Sequence, residues 1–294
     1  SDVCSSDLCE PSNMWKLVSL LLLTCLSTAI DGRSSAVIDD TEVQPKSCDC
    51  GVRSVHRIVN GKLAVNGEIP WQVSLQRRFA NSFSPFCGGS IISSRFVITA
   101  SHCINNTDTD VQIFAGEVDL RLPRGVLSSI EWIKQHERYN TDTQENDICL
   151  IKLQRPLAFT DLIKPVCLPN ILMAKEKFTG HVVQISGWGA TSEGGSISTS
   201  LLKSTQYVVS NEQCKTVYRR IYDSSICAYT FNTDTCQGDS GGPMTYYDGA
   251  RSYLVGVVSF GRGCARPNVP GVYARVTSYM DWIRTNTDTY ICTN

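Results

Sequence analysis

The 294-residue chain lacks net charge: its 27 Lys and Arg are offset by 28 Asp and Glu, which leaves −1 at neutral pH. Without a basic field it has no long-range attraction for phosphates, and nucleic acid is set aside as a partner. A membrane-spanning run is missing too. The most apolar stretch, residues 17–26, falls short of the ~20 residues needed to cross a bilayer, so no membrane association is expected. Histidine is scarce, with only His56, His102, His136 and His181, all of them before residue 240. Too few stand near Cys48 and Cys50 to complete a zinc set, and neither a metal nor another cofactor is expected.

Cysteine, by contrast, is plentiful. Fourteen of them point to an oxidising compartment. Met14-Trp15-Lys16, the apolar residues 17–26 and the small residues Ser27-Thr28-Ala29 read in order as the charged start, core and cleavage site of a signal peptide over residues 14–29. The chain is therefore expected to be secreted and extracellular. Ahead of it, Asp2-Val3-Cys4-Ser5-Ser6-Asp7-Leu8 resembles a translated sequencing-adapter oligonucleotide, and residues 1–13 are expected to be an artefact. Residues 30–57 read as a short, polar propeptide, and residues 58–294 as the main domain. Setting aside Cys4, Cys9 and Cys25 leaves an odd number of cysteines, so at least one thiol is unpaired or joins another chain.

The densest chemistry lies in Thr233-Asp234-Thr235-Cys236-Gln237-Gly238-Asp239-Ser240-Gly241-Gly242-Pro243. A serine among glycines can sit in a tight turn with its hydroxyl exposed and backbone N–H groups turned toward a developing oxyanion. The stretch also satisfies G-x-S-x-G, the nucleophile elbow of α/β-hydrolases, but there the histidine follows the serine. Here every histidine precedes Ser240, which excludes that arrangement and leaves the order His, Asp, Ser.

Two further segments supply the partners. His102 lies in Val97-Ile98-Thr99-Ala100-Ser101-His102-Cys103, and Asp147 in Asn146-Asp147-Ile148-Cys149-Leu150-Ile151. With the serine segment, these motifs resemble those of the chymotrypsin family of serine proteases with trypsin-like specificity, and the likeness runs from about residue 58 to about residue 283. Ser101 and Cys149 stand where the family more often has alanine. His136 and His181 lack such surroundings and read as structural.

The resemblance implies a function and a role for each residue. The chain would be a serine endopeptidase cleaving after Arg or Lys: Ser240 as nucleophile, His102 as base, Asp147 as the carboxylate that orients it, and the N–H groups of Gly238 and Ser240 as the oxyanion site. Asp234 would lie at the floor of the primary pocket and select a basic side chain, with Thr235 beside it and Gly261 and Gly271 leaving room along the walls. Ser259, Phe260 and Gly261 would offer a backbone edge to which substrate adds as a strand, Phe260 replacing the usual tryptophan. Arg57-Ile58-Val59-Asn60-Gly61 resembles the family's activation junction. A cut after Arg57 by another trypsin-like protease would free the Ile58 amine to pair with Asp239. Expected partners are protein or peptide substrates, that activating protease and protein inhibitors; the enzyme itself is expected to be a monomer.

The same resemblance pairs Cys87 with Cys103, Cys214 with Cys227, Cys236 with Cys264 and Cys50 with Cys167. Cys48, Cys149 and Cys292 remain; a buried, free Cys149 would let Cys48 pair with Cys292. Glu117 and Asp119 begin like the family's calcium loop, but Arg124 and Leu127 stand where further acids belong, and no calcium site is expected. Asn105-Asn106-Thr107 is the only acceptor sequon for an N-linked glycan.

Short alternating runs at residues 90–99, 181–187, 201–209, 253–260 and 271–276, separated by Gly, Asn, Asp and Ser turns, predict an all-β domain. The resemblance makes it two packed antiparallel six-stranded β-barrels with the active site between them. Val276, Met280 and Ile283 recur at helical spacing, and Ser278 with Asp281 fits a capping box, which predicts one C-terminal helix. A non-catalytic homologue acting as a binding protein would have lost one of the three catalytic positions, and here all are filled. A narrow regulatory or venom protease would use the same residues as a digestive one.

Overall fold

The computed structural model describes residues 49–54, 63–80, 82–105, 110–190, 194–231, 238–263, 266–289 and 291–293. Twelve strands form two closed antiparallel barrels. The first comprises β1 (Gln72–Phe79), β2 (Ser82–Ile91), β3 (Phe96–Thr99), β4 (Val111–Ala115), β5 (Val126–Gln135) and β6 (Cys149–Leu153), in the order β1-β2-β3-β6-β5-β4. The second comprises β7 (Val182–Gly187), β8 (Leu202–Val209), β9 (Ser225–Tyr229), β10 (Pro243–Tyr247), β11 (Ser252–Phe260) and β12 (Gly271–Arg275), in the order β10-β11-β12-β9-β8-β7. Closure pairs the backbone of every strand on both sides and leaves no open edge.

Residue type explains which strands line the core. β3 is Phe-Val-Ile-Thr and wholly buried, while β6 exposes only part of Lys152. Such β-branched, apolar runs fit strands covered on both faces. Trp71, Leu75, Ile98, Ile113 and Leu150 fill the first barrel and are joined in one cluster by Leu254, Val257 and Ala274 of the second, so the barrels share a core. Val183, Ile226, Met244, Val255 and Tyr273 fill the far side of the second barrel.

Two short helices accompany the barrels, α1 (Asn211–Lys215) and, after the last strand, α2 (Met280–Thr285). Met280 and Ile283 are buried in the shared core, as their spacing predicts. The start of α2 differs from expectation. Residues 276–279 form a tight 3-10 turn, Tyr279 takes the cap position, and no side chain caps the helix, so Ser278 and Asp281 make no capping box. His136 is 6% exposed and lies against the rings of Tyr279 and Trp282, at 5.5 and 5.0 Å, with burial lowering its pKa. It is the structural histidine that its surroundings in the sequence imply.

A second correction concerns residues 90–99, which are two strands and not one. The Ser93 hydroxyl accepts the N–H groups of Arg95 and Phe96, closing a turn between β2 and β3. Serine competes for local backbone in this way wherever the chain can turn.

Three of the expected disulfides form: Cys50–Cys167, Cys87–Cys103 and Cys214–Cys227. Cys236 and Cys264 lie outside the described residues. Cys292 is disulfide-bonded, and its backbone carbonyl accepts the N–H of Leu168, next to Cys167. Cys149 is free and fully buried at the start of β6, and burial pushes its thiol far up, helped by the nearby charge of Asp147. Such a thiol is a small hydrophobe and not a nucleophile. In the folded protein Cys149 should therefore resist alkylation at pH 8, and react after denaturation without reduction. Labelling of residue 149 in the native state, located by mass spectrometry of the digest, would contradict this.

Candidate active site

The seam between the barrels gathers residues from both. His102 sits in a three-residue 3-10 turn (Ser101–Cys103) just after β3, and Asp147 two residues before β6. Thr99 pairs with Cys149 across β3 and β6, so both side chains emerge at one end of the same strand pair. Asn146 adopts a left-handed backbone with φ of 59°, tolerated by Asn more than by most residues, and its side chain anchors to the Arg138 carbonyl at 2.9 Å. This turn sends the next residue, Asp147, inward. Ser101 explains its presence too: its hydroxyl donates to the Ile148 carbonyl at 2.6 Å and stitches the histidine segment to the aspartate segment.

Asp147 is 1% exposed yet accepts three hydrogen bonds. Its Oδ1 takes the backbone N–H of His102 at 2.9 Å; its Oδ2 meets His102 Nδ1 at 2.7 Å and the Ser259 hydroxyl at 2.5 Å. The third donor comes from the second barrel. A register shift between Val258 and Phe260 makes Ser259 the extra residue of a β-bulge in β11. Bulges re-aim a side chain, and this one turns the Ser259 hydroxyl across the seam. With Nδ1 engaged by a carboxylate, His102 Nε2 is the ring nitrogen left for other chemistry. The sequence places Ser259 on a backbone edge but gives no sign of this side-chain contact.

Ser240 lies in the turn before β10, where Gly242 N–H donates to the Asp239 carbonyl at 2.9 Å. Its own carbonyl accepts the N–H of Gly88 at 2.7 Å. Gly88 follows Cys87, whose disulfide to Cys103 holds the residue next to His102. Serine and histidine are thus both fixed to adjacent residues of β2, Gly88 and Cys87. No hydrogen bond joins the Ser240 hydroxyl to His102 in this conformation; such bonds are commonly long in unliganded sites. The N–H groups of Gly238 and Ser240 donate to no acceptor among the described residues, which leaves both able to stabilise an anion. Gly238 has φ of +97°, a conformation few side chains tolerate.

Asp239 turns the opposite way. Its Oδ1 accepts the N–H of Gly189 at 2.8 Å, and the carboxylate lies so close to Gly189 that a methyl group there would overlap it. Gly261 is exposed beside Phe260, and Gly271 is buried at the start of β12. Arg57, Ile58, Asp234 and Thr235 lie outside the described residues. Asn105 is exposed.

The loop after β4 carries its own cations. Arg124 Nε lies 3.4 Å from buried Glu117, and Arg121 engages Asp119 through two hydrogen bonds of 2.9 and 2.6 Å. The Arg121 bonds, side chain first, hold the Asp119 carboxyl down at about 2. Each carboxylate that could have begun a calcium site has a guanidinium beside it. Cys87, His102 and Cys103 cluster closely, but the two sulfurs are joined to each other and cannot serve as thiolate ligands.

Two closed six-stranded barrels, with a histidine paired to a buried aspartate and a glycine-flanked serine at their seam, define a chymotrypsin-type fold. The Trypsin family profile matches residues 58–283. The chain is 42% identical over 239 residues to Trypsin-1 of Astacus astacus, covering 78% of this chain and 99% of that protein. It is 41% identical over 231 residues to Trypsin alpha-4 of Lucilia cuprina, covering 77% and 86%. Serine proteinase stubble of Drosophila melanogaster is 37% identical over 260 residues, covering 80% of this chain and 32% of that protein. The chain belongs to the trypsin family of serine endopeptidases.

Removing the Ser259 hydroxyl takes one of three donors from a buried carboxylate. A hydrogen bond to a charged group contributes about 1.5–3 kcal/mol, so Ser259→Ala should lower kcat by roughly ten- to a hundredfold. The Ser259→Thr variant, which keeps the donor, should recover part of the loss. Equal kcat for Ser259→Ala and wild type on one peptide substrate would show that the hydrogen bond has no part in the reaction.

Proposed function

We propose that the protein is a secreted endopeptidase, made as a zymogen, that cleaves peptide bonds after Arg or Lys. The observation that carries the reading is the buried Asp147 carboxylate holding Nδ1 of His102 on the far side of the ring from Nε2, beside the turn that bears Ser240. Ser240 Oγ attacks the substrate carbonyl carbon while Nε2 of His102 takes its proton. The carbonyl oxygen becomes an oxyanion, held by the N–H groups of Gly238 and Ser240. His102 then returns the proton to the departing amine as the C–N bond breaks, leaving an acyl ester on Ser240. Water, deprotonated by the same nitrogen, hydrolyses that ester and restores the serine. Asp147 keeps the ring in one tautomer and offsets the imidazolium charge.

Specificity rests on Asp234, whose carboxylate would meet the guanidinium or ammonium of the substrate, with Thr235 beside it and Gly261 and Gly271 along the walls. The likeness to two trypsins supports this assignment. Leaving a desolvated cation unpaired costs ~3–5 kcal/mol, so Asp234→Ser should reduce kcat/KM for Arg peptides by at least about a hundredfold.

Activation follows from Asp239. A cut after Arg57 frees the Ile58 amine, which pairs with the Asp239 carboxylate next to Ser240 and orders the oxyanion site. Pairing raises the amine's pKa above its unfolded value near ~8. Its contribution is thus complete below that value and is lost as pH rises through the folded one. Cys50, bonded to Cys167, lies upstream of the junction, so the cut leader stays attached.

The full chain, secreted and then cut after Arg57 by a trypsin-like protease, should hydrolyse peptides with Arg or Lys before the scissile bond and spare those with Phe or Leu. The uncut form and Ser240→Ala should be inactive. The cut enzyme should run as one band on a denaturing gel and split only on reduction. Activity should decline at alkaline pH above ~8, and undiminished activity and fold several units higher would remove the Ile58–Asp239 pair from the account. No hydrolysis of any peptide despite a new Ile58 terminus would move the assignment to a binding protein or to an enzyme requiring an extended cognate substrate.

A further inference from the structure

A groove of about 380 Å³ adjoins the seam where β11 ends, lined on one side by Asp142 and Gln144 and on the other by Tyr218, Arg219, Arg220 and Phe260. Its floor is well fixed. The rings of Tyr218 and Phe260 meet edge to face at 5.6 Å and 86°. The Tyr218 hydroxyl donates to the Pro270 carbonyl at 2.8 Å and accepts the N–H of Arg262 at 3.2 Å. The Arg262 guanidinium lies 5.1 Å over the Tyr218 ring. Arg219 and Arg220 are exposed and form no ion pair with any described residue. Two guanidiniums therefore line the groove against the single carboxylate of Asp142, with Arg262 stacked on Tyr218 nearby, in a chain whose net charge is −1.

We propose that this groove selects an acidic side chain three or four residues before the scissile bond of the substrate. The proposal rests on the reading above, in which substrate adds as an antiparallel strand along Ser259, Phe260 and Gly261. Paired one for one, with the scissile residue opposite Ser259, the third and fourth residues upstream fall opposite Gly261 and Arg262. At ~3.3 Å per residue they extend along the wall that carries the arginines. A carboxylate there can take paired N–H donors from a guanidinium, a geometry that an amide or an ammonium cannot match.

The contacts are solvent-exposed, so each is modest. Two such exposed pairs give a preference of about fivefold in kcat/KM for Glu over Gln. The preference should shrink as salt rises, because exposed charges are screened.

The test uses the full chain cut after Arg57, its active concentration set by a burst titrant. The substrates are peptides ending in Arg before the scissile bond and differing only in Glu, Gln or Lys at the third or fourth upstream residue. Faster cleavage of the Glu peptides, a Glu-to-Gln ratio that falls to one in Arg219→Ser/Arg220→Ser, and a preference reversed toward Lys in Arg219→Glu/Arg220→Glu would support the proposal. Equal rates for Glu and Gln in the wild type would overturn it. A Glu preference that survives the double serine variant would overturn the assignment to these arginines. Loss of all cleavage after Arg, whatever the upstream residue, would instead defeat the underlying specificity reading and this proposal with it.

Discussion

A carboxylate with almost no access to water holds this molecule's two halves to one geometry. Burying an ionised group is costly unless its charge is met by well-placed donors. Asp147 meets that condition with a backbone N–H and a ring nitrogen from the first barrel and a hydroxyl from the second. None of the three is dispensable to an acceptor that water cannot reach. The seam is therefore under an energetic constraint as well as a steric one: a shift of either barrel that lengthened the Ser259 contact would leave a buried charge short of a donor. The same charge acts on its surroundings. Burial, with Asp147 adding, pushes the hydroxyls of Tyr139 and Tyr279 up to about 12.

Position is transmitted from the barrels to the reactive groups through short, stiff links. Thr99 at the end of β3 donates its hydroxyl to the Gly88 carbonyl at 2.8 Å, while the Gly88 N–H holds the Ser240 carbonyl. The Cys87–Cys103 bridge spans 16 residues of sequence, a closure that constrains the unfolded chain by about 3 kcal/mol. It also fixes the residue beside His102 to the residue beside Gly88. Serine and histidine come from segments far apart in the chain, yet both are referred to the same point on β2. Gln135 reinforces the arrangement by donating to the carbonyls of Ser101 and Ile104 at 2.8 and 3.0 Å.

What could be read from the sequence divides along physical lines. The serine, histidine and aspartate segments were legible because their chemistry demands particular residue types in a particular order, and the two barrels followed from the likeness those segments carry. Three disulfides followed in the same way. The bulge at Ser259 was not legible: its meaning lies in a hydrogen bond to a residue 112 positions away, and no local pattern encodes such a contact. The turn that divides residues 90–99 is not legible because Ser93-Ser94-Arg95, between Ile92 and Phe96, carries no Gly or Pro, and its serines read as strand residues until their backbone partners are known. The capping box at Ser278 was a true local pattern overridden by packing. Burying Val276, Tyr279 and Met280 together pulls residues 276–279 into a tighter turn and moves the helix start past the serine.

The contrast between the seam and its rim separates what is coupled from what is free to vary. At the seam Asp147 takes three donors, one of them the Ser259 hydroxyl, and Ser101 ties to the carbonyl of the next residue, Ile148, so a change at any of these is felt by the others. At the rim, Arg219 and Arg220 stand in solvent, and their replacement disturbs no buried partner. The loop after β4 lies between these extremes: Glu117 is buried, but the cation beside it, Arg124, is largely exposed. Charge there is balanced by a flexible side chain, which can be exchanged without leaving a gap in the core. On the proposed reading, selectivity for upstream substrate residues can thus change through exposed arginines while His102 and Asp147 stay locked, because the two sets of side chains share no hydrogen bonds.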